Sequence, residues 1–451
     1  MIRREQGRAF ISAGSEFTSI IRADGTLWAW GGNIRSQVGI SGGIKGAPGE
    51  QGAAKSIGVP SPGQKGRDSD WAFVASGINH SAVIKNNGTL WAWGSNNQRT
   101  LGDGTDTRRL DPFRIGTDAD WAYVSVGMHT LAVKTDGTLW AWGVNEVGRL
   151  GLGRDVSGRS TPAQVGTDSD WAFVVAGDGH SLAVKKDGSL WAWGDNRYGQ
   201  LGLSAGARFE PTEVQSGTRW VYLSSRKRHS MGIRADGTLW AWGAGQLGNG
   251  ETVRTLTEVI RRGMVQVGTD TNWASVAAGS GYSLAIKTDG SLWGWGDNLA
   301  NGSGQREGST PTPARIGRES NWAFVSAGDF HSVAVKTDGS LWAWGLNRGG
   351  QVGDGTHGRG NDRLNPVEIK PGSTMSAFAS RAAAGIIGAA TGQTQGGGVA
   401  GGIKGILGGG QAGGVAGGIL KGIKGGGTRG GGGGVVGGIL KGIKSAKTKK
   451  R

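Results

Sequence analysis

Cysteine is absent from the 451 residues. No disulfide framework, thiolate metal site or cysteine nucleophile is therefore available, and stability must come from packing. No run of about 18 apolar residues occurs, and Met1-Ile2-Arg3-Arg4-Glu5-Gln6 leads into strand-like sequence rather than an apolar leader. Neither a membrane span nor a cleaved secretion signal is expected. Acidic residues are missing from Ser373 onward, where 11 Lys and Arg stand alone; residues 1–372 hold 39 basic against 34 acidic side chains, so most of the net charge of +16 belongs to the tail. What is abundant is tryptophan, 20 residues, and glycine, 91 residues. Large apolar anchors alternating with sharp backbone turns describe strands, not helices.

The tryptophans fall into a repeat. A Trp-Ala-Trp-Gly block starts at Trp28, Trp91, Trp140, Trp191, Trp240 and Trp342, with Trp-Gly-Trp-Gly at Trp293, at spacings of 63, 49, 51, 49, 53 and 49 residues. That period belongs to a propeller or solenoid. Each block follows a two-residue turn, Asp24-Gly25, Asn87-Gly88, Asp136-Gly137, Asp187-Gly188, Asp236-Gly237, Asp289-Gly290 and Asp338-Gly339, of the type that joins antiparallel strands. An apolar run such as Ser181 to Lys185 precedes the turn, a strand such as Trp171 to Val174 precedes that, and a short fourth strand such as Pro162 to Val165 follows. Alternation puts Trp191 and Trp193 on one side and Leu190 and Ala192 on the other. Both faces are apolar, as a sheet packed between two neighbours requires. The expected fold is all-β, a seven-bladed β-propeller of four-stranded blades over residues 1–372, followed by a basic glycine-rich tail over 373–451. The other six tryptophans, at 71, 121, 171, 220, 273 and 322, open the first strands. All 20 are thus assigned to packing rather than to a sugar-binding cage.

The block, the Gly-x-x-His-Ser stretches at Gly77 to Ser81 and Gly177 to Ser181, and Gln200-Leu201-Gly202 resemble the repeats of the regulator of chromosome condensation family. The resemblance covers about four-fifths of the chain. It implies a propeller often closed by placing both chain ends in one blade; here the first unit opens at Arg8-Ala9-Phe10 and the last ends at Ile369, which leaves the closure register open. The family's eukaryotic founder exchanges nucleotide on the small GTPase Ran and sits on chromatin, while many bacterial and viral relatives share only the propeller. The short, uniform, Trp-rich repeats are closer in style to the latter.

Catalytic chemistry finds little support. His80, His129, His180, His229 and His331 share one repeat position, which Phe17 and Tyr282 fill in the other two units, and a metal ligand is not interchangeable with Phe. These rings are expected to pack between blades. Gly49 to Ser56 approaches a phosphate-binding loop, but Ala54 stands where a glycine belongs and no helix pattern follows. No carboxylate pair stands out as acid and base. No enzyme activity, metal or cofactor is expected.

Binding is expected at departures from the repeat. Alternation places the loops between first and second and between third and fourth strands on one rim, with the Asp-Gly turns and blade linkers on the other. The turn rim repeats acids, Asp118, Asp120, Asp168 and Asp170 among them, partly offset by Lys134 and Lys185. On the loop rim Arg226-Lys227-Arg228 replaces the usual Gly-x-x, Arg108-Arg109 sits in a loop, and residues 34–67 form the longest insertion, carrying Lys45 and Lys55. This rim is the expected docking face for an acidic protein partner or cell-surface component.

The tail repeats another unit, Gly397 to Gly402, Gly413 to Gly418 and Gly433 to Gly438, with Ile-Leu-Lys-Gly-Ile-Lys after the second and third copies. Each internal glycine costs a helix about 1 kcal/mol relative to Ala, so no stable isolated helix is expected. Lys421, Lys424, Lys441 and Lys444 between aliphatic residues suit an anionic membrane surface, and Lys447, Lys449, Lys450 and Arg451 suit nucleic-acid phosphates. Glycine-rich strands from several chains packed as extended helices would instead make the tail a self-association anchor. The function expected is that of a non-enzymatic recognition or structural component, displayed in a virion or surface assembly or otherwise cytoplasmic; the alternative that the resemblance implies is a regulatory propeller similar to the Ran exchange factor, with its basic tail on nucleic acid.

Overall fold

The structure, a computed structural model, describes residues 10–39, 44–45, 56–251 and 262–370. Lys55, the phosphate-loop-like stretch up to it, and the tail with all eight of its candidate anchors lie outside the described residues. Of Lys45 only the backbone is described.

Seven antiparallel sheets are formed, each from strands consecutive in sequence. Their first strands are Ile11–Ala13, Trp71–Ser76, Trp121–Val126, Trp171–Ala176, Trp220–Arg226, Trp273–Ala278 and Trp322–Ala327, which define blades one to seven. Blade four is typical. Trp171–Ala176, His180–Lys185, Leu190–Gly194 and Arg208–Val214 pair in that order, with Val174 opposite Ala183, Ala183 opposite Trp191 and Trp191 opposite Glu213. Blade one exceeds the expected four strands. Part of the long insertion doubles back, so that Ile44–Lys45 pairs outside Ser56–Gln64.

The cores lie between blades. Trp171 and Trp193 of blade four pack on Leu131, Val133 and Leu150 of blade three, while Leu182, Leu190 and Ala192 on the opposite face pack on Trp220 and Trp242 of blade five. Each blade is thus apolar on both faces because each face is half of a core. The same packing joins the ends of the chain: Ile11, Ala13, Ile20 and Trp30 meet Val333, Val335, Leu341 and Ile369. The ring therefore closes by contact of blade one with blade seven, and among the described residues no blade combines strands from both ends.

Polar bonds fix the spacing that apolar packing alone leaves loose. In every block but that of blade six, where Trp295 Nε1 has no partner, the second tryptophan donates from Nε1 to a carbonyl in the preceding blade's loop: Trp142 to Thr100, Trp193 to Arg149, Trp242 to Gln200, all at 2.8–2.9 Å, and, across the closure, Trp30 to Gln351 at 3.0 Å. On the other rim six turn glycines, those of blades one to six, accept from the next blade, as Gly88 O does from the Trp121 N–H at 3.1 Å. Gly88 has φ of 79°, and a Cβ there would lie 2.1 Å from the Ala119 carbonyl oxygen. Both turn geometry and close approach require glycine at this position.

Candidate docking site on the loop rim

The first strands line the axis. A cavity of about 170 Å³ remains there, bordered by Phe73, Tyr123, Tyr222, Phe324, Ser12 and Ser224. Phe73 and Tyr123 stack at 5.0 Å. Burial pushes the Tyr222 hydroxyl up to about 12 and that of Tyr123 higher still, so both stay protonated. Axial serines tie neighbouring blades: Ser12 Oγ accepts from the Ser76 N–H, Ser125 from Ala176, Ser224 from Ala278 and Ser326 from Ala13, at 2.9–3.0 Å.

The five repeat histidines are buried and bridge blades. Nε2 of His80, His129, His180, His229 and His331 lies 2.7–3.3 Å from the hydroxyls of Thr130, Ser181, Ser230, Ser283 and Thr18, respectively, in the following blade. Ser181 already donates to Arg149 O at 2.7 Å and Ser230 to Gln200 O at 2.8 Å, which makes each facing imidazole the donor and assigns it as the neutral Nε2–H tautomer. Burial lowers His80, His180 and His331 to about 3 and His229 to about 4. Where Phe17 replaces the histidine, the next hydroxyl, Ser81 Oγ, is buried without a hydrogen-bond partner. Tyr282 restores the link by donating to His331 O at 2.7 Å.

At the loop-rim mouth of the axis the blades meet through backbone bonds, Ser15 N–H to Gly77 O at 3.0 Å and Asp329 N–H to Ser15 O at 3.2 Å among them. Small loops of the Gly-x-x-His type permit this approach. Blade five departs from them. Arg226 is buried, and its side chain reaches past blade six to blade seven, where Nε donates to Asp329 Oδ1 at 2.8 Å. Ser15 Oγ donates to Asp329 Oδ2 at 2.6 Å, and Lys227 Nζ lies 3.3 Å from the same oxygen. Burial alone would raise the Asp329 carboxyl; Arg226, Ser15 and Lys227 outweigh it and hold that group low. Burial does raise Asp178, against the pull of Arg226, with Asp329 adding to the effect. The mouth is thus crossed by an internal ion pair.

That geometry divides the residues singled out in the sequence. The charge of Arg226 is committed inside the molecule. Lys227 is half-buried, with φ of 46°, a region non-glycine residues seldom occupy, and shares Asp329 with Arg226; Arg228 is exposed with its guanidinium 4.5 Å from the Tyr198 ring. Arg108 is exposed on blade two, three blades away. Arg109 proves to be the first residue of a strand rather than part of a loop; its Nε donates to Asp103 at 2.8 Å, and its guanidinium lies 4.4 Å from the Phe113 ring. Neither Arg108 nor Arg228 has an ion-pair partner among the described residues. Asp329, the carboxylate that captures Arg226, was not visible as a site residue in the sequence. Its only signal is an acid in the small loop of blade seven, 103 residues from its partner.

The turn rim is the opposite case. Lys85 Nζ sits 2.8 and 3.0 Å from Asp68 and Asp70 and about 5 Å from the rings of Trp71 and Trp91. Lys134 and Lys185 repeat the arrangement with Asp118, Asp120, Asp168 and Asp170. The acids of this rim therefore hold cations of their own chain.

The described geometry defines a class: seven four-stranded blades closed into a ring, with tryptophans packed between the blades. Residues 122–395 match the RCC1-like domain, and residues 71–99 and 87–133 match the regulator of chromosome condensation (RCC1) repeat. The chain belongs to this family. Among curated relatives it is 25% identical over 198 residues to the ultraviolet-B receptor UVR8 of Arabidopsis thaliana, covering 43% of this chain and 42% of that protein. It is 30% identical over 198 residues to the mitochondrial RCC1 domain-containing protein RUG3 of the same plant, covering 41% and 42%. The chain thus aligns with less than half the length of these relatives. Human WBSCR16 has a similar structure, with a TM-score of 0.67 at 18% identity over 77% of this chain and 94% of that one. Prp20p of Saccharomyces cerevisiae, described together with its binding to Gsp1p and histones, gives 0.66 at 21% over 82% and 88%. At these identities the two solved structures establish the fold.

Proposed function

We propose that this protein is a non-enzymatic binding platform whose loop rim docks an acidic surface of a protein partner, with Lys227 and Arg228 of blade five at the contact and Arg108 as a second cationic point. The observation that carries the reading is the loop Arg226-Lys227-Arg228. Arg226 is anchored on Asp329, Lys227 lies half-buried against the same carboxylate, and Arg228 is exposed beside them, where other blades have small loops. Membership of a family of binding and regulatory propellers supports it, as does the surplus of acids on the opposite, turn rim, where Lys134 and Lys185 each face two aspartates. The basic tail is the anchor that holds the platform in an oligomer or larger particle, such as a phage or bacterial surface assembly, and its 11 cations without an acid suit a polyanion equally.

The test is affinity capture with the whole chain and with Lys227→Glu plus Arg228→Glu, leaving Arg226 in place so that the axis stays crossed. Retention of specific partners should fall at least about tenfold, with loss of the salt sensitivity that exposed charges confer. A variant that keeps every partner at unchanged strength rules out docking through this loop.

A further inference from the structure

The outer edge of every blade is its fourth strand, Ser56–Gln64, Arg109–Arg114, Gly158–Gln164, Arg208–Val214, Arg262–Gln266, Ser309–Arg315 and Arg363–Ile369 in blades one to seven. Six of these edges are blocked in the same way. Between the residue opposite the block's alanine or glycine and the residue opposite its last glycine, three residues bulge, and the third is proline: Pro62, Pro112, Pro162, Pro211, Pro313 and Pro366. Blade five has only two residues there, Gly263 and Met264, between Arg262 opposite Gly243 and Val265 opposite Ala241.

The N–H of Val267 donates to Leu239 O at 2.8 Å, into the blade. Alternation then directs the N–H groups of Gln266 and Met264 away from the blade. Met264 is the position proline fills elsewhere, so the other six edges lack an outward donor that blade five retains. Gly263 is exposed, and a Cβ added there would meet nothing within 4 Å. The stretch Gly263-Met264-Val265-Gln266-Val267 contains no charge, whereas Arg114, Glu213, Arg315 and Glu368 hold the position of Gln266 on four other edges.

We propose that the outer strand of blade five is a strand-addition site that takes the same strand of a second copy of this chain, antiparallel about a two-fold axis at Val265. Met264 then faces Gln266 of the other copy, and each pair exchanges two main-chain bonds, four in all. An uncharged strand meets its own copy without like charges opposed, which favours a second copy over a partner of defined charge. This inference is independent of the loop-rim reading and of the tail.

The experiment compares the full chain with Met264→Pro and with Gln266→Pro by sedimentation over a concentration series, alongside amide hydrogen exchange of the unaltered chain. Both substitutions remove an outward donor; Met264→Pro also removes a side chain packed on the core between blades four and five, whereas Gln266 is exposed, so Gln266→Pro is the deciding variant. The particle mass of each variant should be half that of the parent at matched concentration. In the parent, the Met264 and Gln266 amides should become protected as concentration rises. If association survives both prolines and these amides exchange freely at every concentration, the proposal is overturned, even where shortening the tail changes the mass. Protection that is independent of concentration in a monomer also overturns it and assigns the edge to an internal segment; a monomer that protects these amides only when an extended peptide is added assigns it to a peptide partner.

Discussion

At the scale of single residues the telling feature is a position filled by His, Tyr or Phe in different blades. The site needs a flat ring at the blade junction; five times the ring also shares a hydrogen bond with the next blade's hydroxyl. Buried imidazoles that stay neutral have a consequence for stability. In the unfolded chain each histidine takes a proton near pH 6.5, whereas the folded ones resist it down to about 3 or 4. Below pH 6.5 the unfolded state therefore binds more protons, and folding loses about 1.4 kcal/mol per pH unit for each such histidine until the folded value is reached. The thermal midpoint should fall steeply between pH 7 and 5, and His180→Phe should make the fall shallower by one proton. A midpoint that stays level over this range would mean that the rings are accessible and titrate in place.

At the scale of elements, the third strand of each blade carries the fold. Its Trp-Ala-Trp-Gly sequence buries one tryptophan fully, half-buries the other and sets the register on both sides. Trp193 adds a specific bond to Arg149 O. Trp193→Phe removes that bond and part of the buried volume, a loss of about 2 kcal/mol, to be read from urea unfolding; a cost within about 0.5 kcal/mol of zero would show that the latch contributes nothing. This strand, its Asp-Gly turn and the blade count were legible because packing forces the same residues into every blade. Three things were not. The pairing of Ile44–Lys45 in blade one depends on how a long insertion folds back. Arg226 reads as a surface cation until Asp329 is placed beside it by the ring. Arg109 reads as a loop residue because its strand is short and polar, with Asp111 and Pro112 inside it. In each case the deciding contact is distant in sequence or rests on backbone geometry that no side-chain pattern encodes.

At the scale of the whole molecule the ring separates two tasks. Interfaces between blades repeat, down to the lysines clamped between tryptophans and aspartates on the turn rim. Three departures from the repeat gather in blade five: Arg226 in place of glycine, the adjoining cations Lys227, shared with Asp329, and Arg228, exposed, and an outer strand without proline. Blade five is where the account places recognition. The loop rim and the turn rim lie at opposite ends of every strand, so a bound partner can be assigned to one of them without ambiguity. The direct measurement is amide hydrogen exchange of the whole chain with and without the partner retained in the capture experiment. Docking on the loop rim predicts slowed exchange at residues 225–229 and in the loop 95–108, with the Asp-Gly turns and the linkers 115–120 and 166–170 unchanged. Protection of those turns and linkers, with residues 225–229 exchanging as in the free protein, would contradict it.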